Sequence, residues 1–114
     1  MRVPSPKTRA EIISLLHAPT VVEGSFLIIK ARKNPPQKSL MVSVSARCGN
    51  AVRRNRIRRI VREWFRVNWE SIPEDMSFLV KVLPSTRNLS KNKLSPSIRN
   101  ELHQLMKQFY LPKK

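Results

Sequence analysis

The sequence predicts a single α+β domain in which a small sheet packs against one long arginine-rich helix, with the elements in the order αββαβα. Its 114 residues, 40% of them hydrophobic, are enough to enclose one core. Short β-branched runs and segments of helical period follow one another along the chain. No repeat, linker or low-complexity segment divides them, so residues 1–114 are expected to form one domain.

The first predicted helix lies near the N-terminus. Ser5 is its expected N-cap, Pro6 takes the first helical position, and Pro19 ends it. Its apolar stripe consists of Ile12, Ile13, Leu15 and Leu16. This spacing predicts one buried and one exposed side of the helix.

Three runs of strand-forming residues are predicted to build the sheet. The first covers Phe26 to Ile29, and turn-forming residues follow it at 34–37. The second, residues 40–46, alternates apolar with more polar side chains, which indicates one covered face and one more polar face. The third covers Ser77 to Leu83.

The longest segment of helical period covers residues 51–70. Gly49 permits a sharp entry from the preceding strand, and Asn50 is a natural N-cap. A last helix is expected to begin with Ser95 as its N-cap and Pro96 behind it. The apolar face of that helix consists of Ile98, Leu102, Leu105, Met106 and Phe109.

The charge balance predicts a polyanionic partner. The sequence has 23 Lys and Arg against 7 Asp and Glu, a net charge of +16, which attracts nucleic acid or an anionic membrane surface. Neither a signal-peptide pattern nor a membrane-spanning apolar run occurs, so we expect a cytoplasmic protein without a membrane partner. The single cysteine, Cys48, excludes disulfide scaffolds and zinc fingers.

The main predicted helix carries a basic sector. Seven arginines and a single glutamate, Glu63, occur between residues 53 and 66. Solvated helices usually mix charges to gain pairs between positions i and i+4, so this imbalance favours phosphate binding. The sector consists of Asn55, Arg59, Arg62 and Arg66, flanked by Arg56 and Arg58. The opposite side consists of Ile57, Ile60, Val61 and Trp64.

The segment CGNAVRRNRIRRIVREWFR, residues 48–66, resembles the signature of the bacterial ribonuclease P protein subunit. That signature reads approximately Gly-Asn-Ala-Val, one residue, Arg-Asn-Arg, one residue, a basic pair and Arg-Glu. The pair Val44-Ser45, the strand with Asp75 and Lys81, the chain length and the element order are also similar to the family. The matching signature positions are Gly49, Asn50, Ala51, Val52, Arg54, Asn55, Arg56, Arg58, Arg59, Arg62 and Glu63.

The resemblance implies the protein subunit of an RNA-based endoribonuclease, in which a large RNA removes the 5′ leader of precursor tRNA. It implies that magnesium ions act through that RNA, and that the chain itself holds no catalytic or metal-binding residue. The protein would then be one RNA-binding domain and a monomer in the complex. Its partners would be the catalytic RNA and precursor tRNA.

The resemblance also assigns residues to these partners. The helix of residues 51–70 and its entry loop would contact the catalytic RNA, and a cleft between this helix and the sheet would hold the leader. Phe26 and Lys81 are the candidates for leader binding. The implied contacts to the catalytic RNA are Arg47, Gly49, Asn50, Arg53, Arg54, Asn55, Arg56, Arg58, Arg59, Arg62 and Arg66.

Two positions depart from the family pattern. The family usually has two basic residues after the Val-Ser pair, whereas this chain has Ala46 and then Arg47, so one phosphate contact is missing. The first helix of the family usually presents aromatic residues to a cleft. Here the corresponding residues 11–17 read EIISLLH and include none.

The residues alone leave other functions open. A structural ribosomal-type RNA binder would share the charge and size. A DNA-binding protein would need a short recognition helix after a tight turn and usually a dimer surface, neither of which is evident, so no DNA partner is expected. An autonomous ribonuclease would need converging carboxylates or an acid-base pair, and His17 and His103 lie in separate predicted helices.

Overall fold

The computed structural model describes residues 2–109, and this range contains three α-helices and four strands. The helices are α1 (Arg9–Leu16), α2 (Ala51–Asn68) and α3 (Lys91–Met106). The strands are β1 (Thr20–Glu23), β2 (Leu27–Lys33), β3 (Leu40–Val44) and β4 (Met76–Val82). The order αβββαβα confirms the α+β class and adds one strand to the predicted order.

The four strands form one sheet in the order β1-β2-β4-β3. The pairs β1-β2 and β2-β4 are antiparallel, whereas β3 and β4 are parallel, with Val42 opposite Val80. A parallel pair needs a crossover connection, and α2 supplies it. The position of α2 is therefore tied to the sheet at both of its ends.

The main core lies between the sheet and the helices α2 and α3. Ile57, Val61 and Phe65 of α2 have no exposed surface, and neither does Phe78 of β4. The ring centroids of Phe65 and Phe78 are 6.1 Å apart. Because α2 packs directly onto the sheet, its apolar side is closed against the strands within residues 2–109, and a leader cleft at this place stays a prediction without an open cleft to support it.

The helix α1 covers part of the other face of the sheet. It contacts β2 and β4, and the carbonyl oxygen of Leu16 accepts a hydrogen bond from Nζ of Lys30 at 2.8 Å. Lys30 alternates along β2 with residues of the main core, so its side chain belongs to the opposite face. Lys81 alternates in the same way along β4 and is exposed. The sheet surface open to a ligand is therefore on the α1 side.

A buried lysine holds the chain where α2 ends. Nζ of Lys38 donates to the carbonyl oxygens of Trp69 at 2.6 Å and Ile72 at 2.7 Å, and it pairs with the Glu74 carboxylate at 2.9 Å. The ammonium group also lies 4.4 Å from the ring centroid of Trp69. These contacts fix the turn between α2 and β4.

The added strand and the helix starts differ from the sequence-based predictions. The strand β1 is a four-residue edge strand with mostly exposed side chains, too short to show a hydrophobic alternation. The N-cap of α1 is Thr8, whose hydroxyl accepts from the backbone N–H of Glu11, rather than Ser5. The N-cap of α3 is Ser90, so Pro96 lies inside the helix at an exposed position and not at its start.

Candidate nucleic-acid interface

The entry into α2 is built from local backbone geometry. Asn50 caps the helix as predicted, because its side-chain oxygen accepts from the backbone N–H of Arg53 at 2.9 Å. Gly49 has a φ of 144°, a conformation that side-chain-bearing residues rarely adopt. A Cβ atom there would also lie 2.5 Å from Cδ of Arg53. The glycine therefore permits both the turn and the close approach of the arginine.

The helix α2 has the two faces that its sequence predicts. Asn55, Arg59 and Arg66 are exposed and Arg62 is half-buried, and together they form a ridge that we call the arginine crest. Of the four residues predicted on the opposite side, Ile57, Val61 and Trp64 are buried, and Ile60 is partly buried against the core. The crest is therefore carried by a helix that cannot rotate without exposing its core side.

Glu63, the acid on the crest, is neutralised locally. Its two carboxylate oxygens accept from Nε and Nη2 of Arg66, at 3.0 Å and 2.5 Å. This hydrogen bonding lowers the pKa of Glu63 and raises that of Arg66, with the charges of Arg66 and Arg99 adding to the effect on Glu63. The pair adds no net charge, so the free positive charge of the crest is concentrated at Arg59 and Arg62.

Arg62 both belongs to the crest and anchors the N-terminal segment. Its Nη2 donates to the carbonyl oxygen of Val3 at 2.7 Å and to the hydroxyl of Ser5 at 3.2 Å. Partial burial, and secondly the charge of Arg2, lower the pKa of its guanidinium group. A niche of about 300 Å³ beside this anchor is lined by four arginines and one acid, namely Arg2, Arg59, Arg62, Arg66 and Glu63.

Arg53, one of the predicted RNA contacts, is directed into the protein. Its Nε donates to the carbonyl oxygen of Cys48 at 3.1 Å, and its Nη2 donates to those of Thr86 and Leu89, both at 2.8 Å. These bonds connect the start of α2 to the segment between β4 and α3. The structure thus gives Arg53 a bracing function that sequence reasoning missed, since two of its three acceptors, Thr86 and Leu89, lie more than thirty residues away.

The other predicted RNA contacts lie around the first half of α2. Arg47 is exposed in the turn before the helix, and Arg58 donates to the side-chain oxygen of Asn55 at 2.8 Å. Arg56 is half-buried. Nε of Arg54 is buried and has no hydrogen-bond partner among residues 2–109. A buried unpaired donor is rare, and because this atom is buried, an external acceptor reaches it only if the Arg54 side chain moves.

The two leader candidates do not share a surface. Phe26 is partly buried and packs against the main core. Its backbone N–H and that of Ser25 donate to the Glu101 carboxylate at 2.7 Å and 2.9 Å, which joins the β1–β2 hairpin to α3. Lys81 is exposed on the opposite face of the sheet. A single-stranded nucleic acid bound to the face of the sheet that carries Lys81 would therefore contact Lys81 and not the ring of Phe26.

Across residues 2–109, no group of three or more His, Cys, Asp or Glu residues is placed to hold a metal ion. None of the helices in that range is both long and apolar enough to cross a membrane.

Comparison with known proteins identifies the family. The family model described as Ribonuclease P matches residues 6–110. The chain belongs to the ribonuclease P protein family. The match confirms the resemblance that residues 48–66 carry, and it extends over nearly the whole sequence.

Individual members of the ribonuclease P family show the same relationship. The ribonuclease P protein component of Desulfosudis oleivorans is 29% identical over 102 residues, which cover 89% of this chain and 84% of that protein. The component of Macrococcus caseolyticus is 32% identical over 82 residues, which cover 71% and 70%. The solved RNase P protein of Staphylococcus aureus has a TM-score of 0.74 at 24% identity, covering 100% of this chain and 97% of that one. The structural likeness confirms the ribonuclease P protein fold.

Proposed function

We propose that this chain is the protein subunit of ribonuclease P, which binds the catalytic RNA and the 5′ leader of precursor tRNA and assists maturation of the tRNA 5′ end. The observation that carries the proposal is the arginine crest on a helix fixed to the sheet, in a chain of the ribonuclease P family. A net charge of +16 supports a polyanionic partner of large size.

The catalytic RNA would bind along α2 and its entry turn. Guanidinium groups fork two donors onto phosphate oxygens and keep their charge near neutral pH. Arg59 makes no hydrogen bond or ion pair with another residue in the range 2–109, so its donors are available. Arg47 and Arg56 extend the same positive surface towards the N-terminus of α2.

The leader would bind on the α1 side of the sheet. In the sheet register, Lys81 is flanked by Ile28 of β2 and Ser43 of β3, which form a surface with a cation, an apolar group and a hydroxyl. Such a surface suits the phosphate, base and sugar of an unpaired nucleotide. Because α1 lacks aromatic side chains and Phe26 packs against the core, charge contributes more than stacking.

Cleavage itself would be carried out by the RNA, with magnesium ions held there. The distribution of this chain's acids supports that division. Glu63 is paired with Arg66, Glu74 with Lys38, and Glu101 accepts two backbone N–H groups, so these carboxylates serve the fold and do not converge. A cytoplasmic location, a monomeric state in the complex and the lack of a DNA partner stay predictions.

The test is cleavage of a precursor tRNA at low magnesium concentration by the chain alone, by a bacterial ribonuclease P RNA alone, and by both. The proposal expects efficient cleavage at the mature 5′ end only with both components. Cleavage by the chain alone would indicate an autonomous ribonuclease. RNA binding without any effect on cleavage would favour the structural ribosomal-type binder.

A further inference from the structure

The helices α2 and α3 leave a groove of about 650 Å³ between them, lined only by residues of these two helices. Its apolar lining includes Ile60 and Trp64, which belong to the edge of the core, and Val67, which is 67% exposed. Val67 is not needed to fill the core. An exposed valine that lines a groove supplies a surface on which a flat apolar group packs.

Both walls of this α2/α3 groove carry a cation. Arg59 projects from α2 and Arg99 from α3. Among the described residues, neither guanidinium group forms a hydrogen bond or an ion pair. Glu63 also lines the groove; both of its oxygens accept from Arg66, and the charge of Arg99 acts on it without a hydrogen bond. The groove therefore presents two arginines whose donors are free for an anionic ligand.

Polar side chains also line the groove, His103 among them. Asn68 and Ser95 face the groove from α2 and α3, and Asn100 lies near Arg99 along α3. Nδ2 of Asn68 donates to the carbonyl oxygen of Trp64 at 2.8 Å, which leaves its side-chain oxygen as an acceptor. Amide side chains read the edges of unpaired bases.

We infer that the α2/α3 groove binds unpaired nucleotides of the ribonuclease P RNA, with phosphates at Arg59 and Arg99 and a base or sugar against Val67. This inference rests on the proposed function and extends the RNA interface from α2 onto α3, which no motif in the sequence indicates. A volume of this size matches a small-molecule pocket, so it takes about one or two nucleotides and no duplex.

Crosslinking tests the site directly. Val67→Cys and Val52→Cys each place one thiol on an exposed position of α2, and the native Cys48 is fully buried, so a thiol-directed photocrosslinker labels the introduced site. Val52 lies in the first turn of α2, beside the predicted RNA contacts, and serves as the matched control. Each labelled protein is irradiated in complex with a bacterial ribonuclease P RNA transcript. We expect both to crosslink, and Val67→Cys to reach nucleotides that are unpaired in the RNA.

The Val52→Cys control distinguishes failure of the groove inference from failure of the proposed function. Crosslinks from Val52→Cys without any from Val67→Cys would overturn the groove inference and leave the proposed function intact. The absence of crosslinks from both positions would contradict the proposed function as well. Crosslinks from Val67→Cys only to base-paired nucleotides, or to a second copy of this chain, would also overturn the inference.

Binding measurements give a second test without a label. Arg99→Ala should raise the dissociation constant for the same RNA about tenfold, the usual effect of losing one charged hydrogen-bonding contact. Arg87→Ala removes the same charge from an exposed position in the turn before α3 and should change the constant less than about twofold. An equal effect of the two substitutions would show that α3 contributes only general charge, and the inference would be wrong.

Discussion

Nη2 of Arg62, in the middle of α2, lies 2.7 Å from the carbonyl oxygen of Val3 and ties the N-terminal segment to the arginine crest. The next residue of that segment, Pro4, accepts through its carbonyl from the backbone N–H of Leu40 at 2.9 Å. The segment therefore lies between α2 and β3. An arginine that the sequence predicts as an RNA contact also organises the protein around it.

Substituting the two central crest arginines should separate RNA binding from this anchoring. Arg59→Ala should lower the magnitude of the salt slope of RNA binding by about one unit and leave the fold unchanged, because its charge is unpaired. Arg62→Ala should lower the slope similarly and also increase amide hydrogen exchange at Leu40. If Arg59→Ala is folded and its salt slope of RNA binding is unchanged, the arginine crest faces solvent and does not contact RNA phosphates.

Arg53 should act on stability and not on RNA affinity. Arg53→Lys keeps the charge but loses the fork that reaches the carbonyl oxygens of Cys48, Thr86 and Leu89, so the free energy of unfolding should fall by about 2 to 4 kcal/mol. Arg56→Lys is the matched control and should leave stability within about 0.5 kcal/mol. Denaturant unfolding measures both. A stable Arg53→Lys variant with weakened RNA binding would return Arg53 to the RNA interface.

Trp64 should be a core residue. It is 8% exposed, and its ring centroid lies 5.1 Å from that of Phe65 in an edge-to-face arrangement. Trp64→Ala should therefore lower the free energy of unfolding by about 3 to 5 kcal/mol, as is usual for truncating a large buried aromatic side chain. Unchanged stability together with a sharp loss of RNA affinity would instead make Trp64 a base-stacking residue.

Glu101 should hold the β1–β2 hairpin, which carries Phe26, against α3. Glu101→Gln replaces one acceptor oxygen by an amide group that cannot accept from a backbone N–H, at a cost of about 1 to 3 kcal/mol. Hydrogen exchange at Ser25 and Phe26 should accelerate. Glu70→Gln makes the same change of charge on an exposed side chain and should leave these amides protected. Equal exchange in both variants would contradict the bracing role.

How much the sequence predicts depends on how local each signal is. The start of α2 is predicted correctly, because Asn50 caps the amide of Arg53 only three residues away. The start of α3 is missed, because Ser95-Pro96 has the pattern of an N-cap and first position, whereas the true N-cap, Ser90, makes no capping bond with its side chain. Local patterns cannot show that a proline is tolerated inside a helix on an exposed position.

In the candidate site, too, local patterns are predicted correctly and contacts between distant segments are not. The crest is a periodic pattern within one helix, so the faces of α2 are predicted correctly. The bracing of Arg53 and the anchoring by Arg62 need acceptors from distant segments, which no local pattern reveals. Phe26 packs against the core from the hairpin turn, next to Leu27 at the start of β2, where strand alternation does not yet apply, and its contact with the leader stays a prediction.

The central claim, a protein subunit that binds both the catalytic RNA and the leader, is tested most directly by the affinities of two tRNA forms. Dissociation constants are measured for precursor and mature tRNA, with the ribonuclease P RNA alone and with the RNA and this chain together. The account predicts that the chain strengthens binding of the precursor selectively, that the preference shrinks as the leader is shortened, and that Lys81→Ala reduces it. Equal strengthening of precursor and mature tRNA would contradict the leader site and leave only general electrostatic support of the RNA.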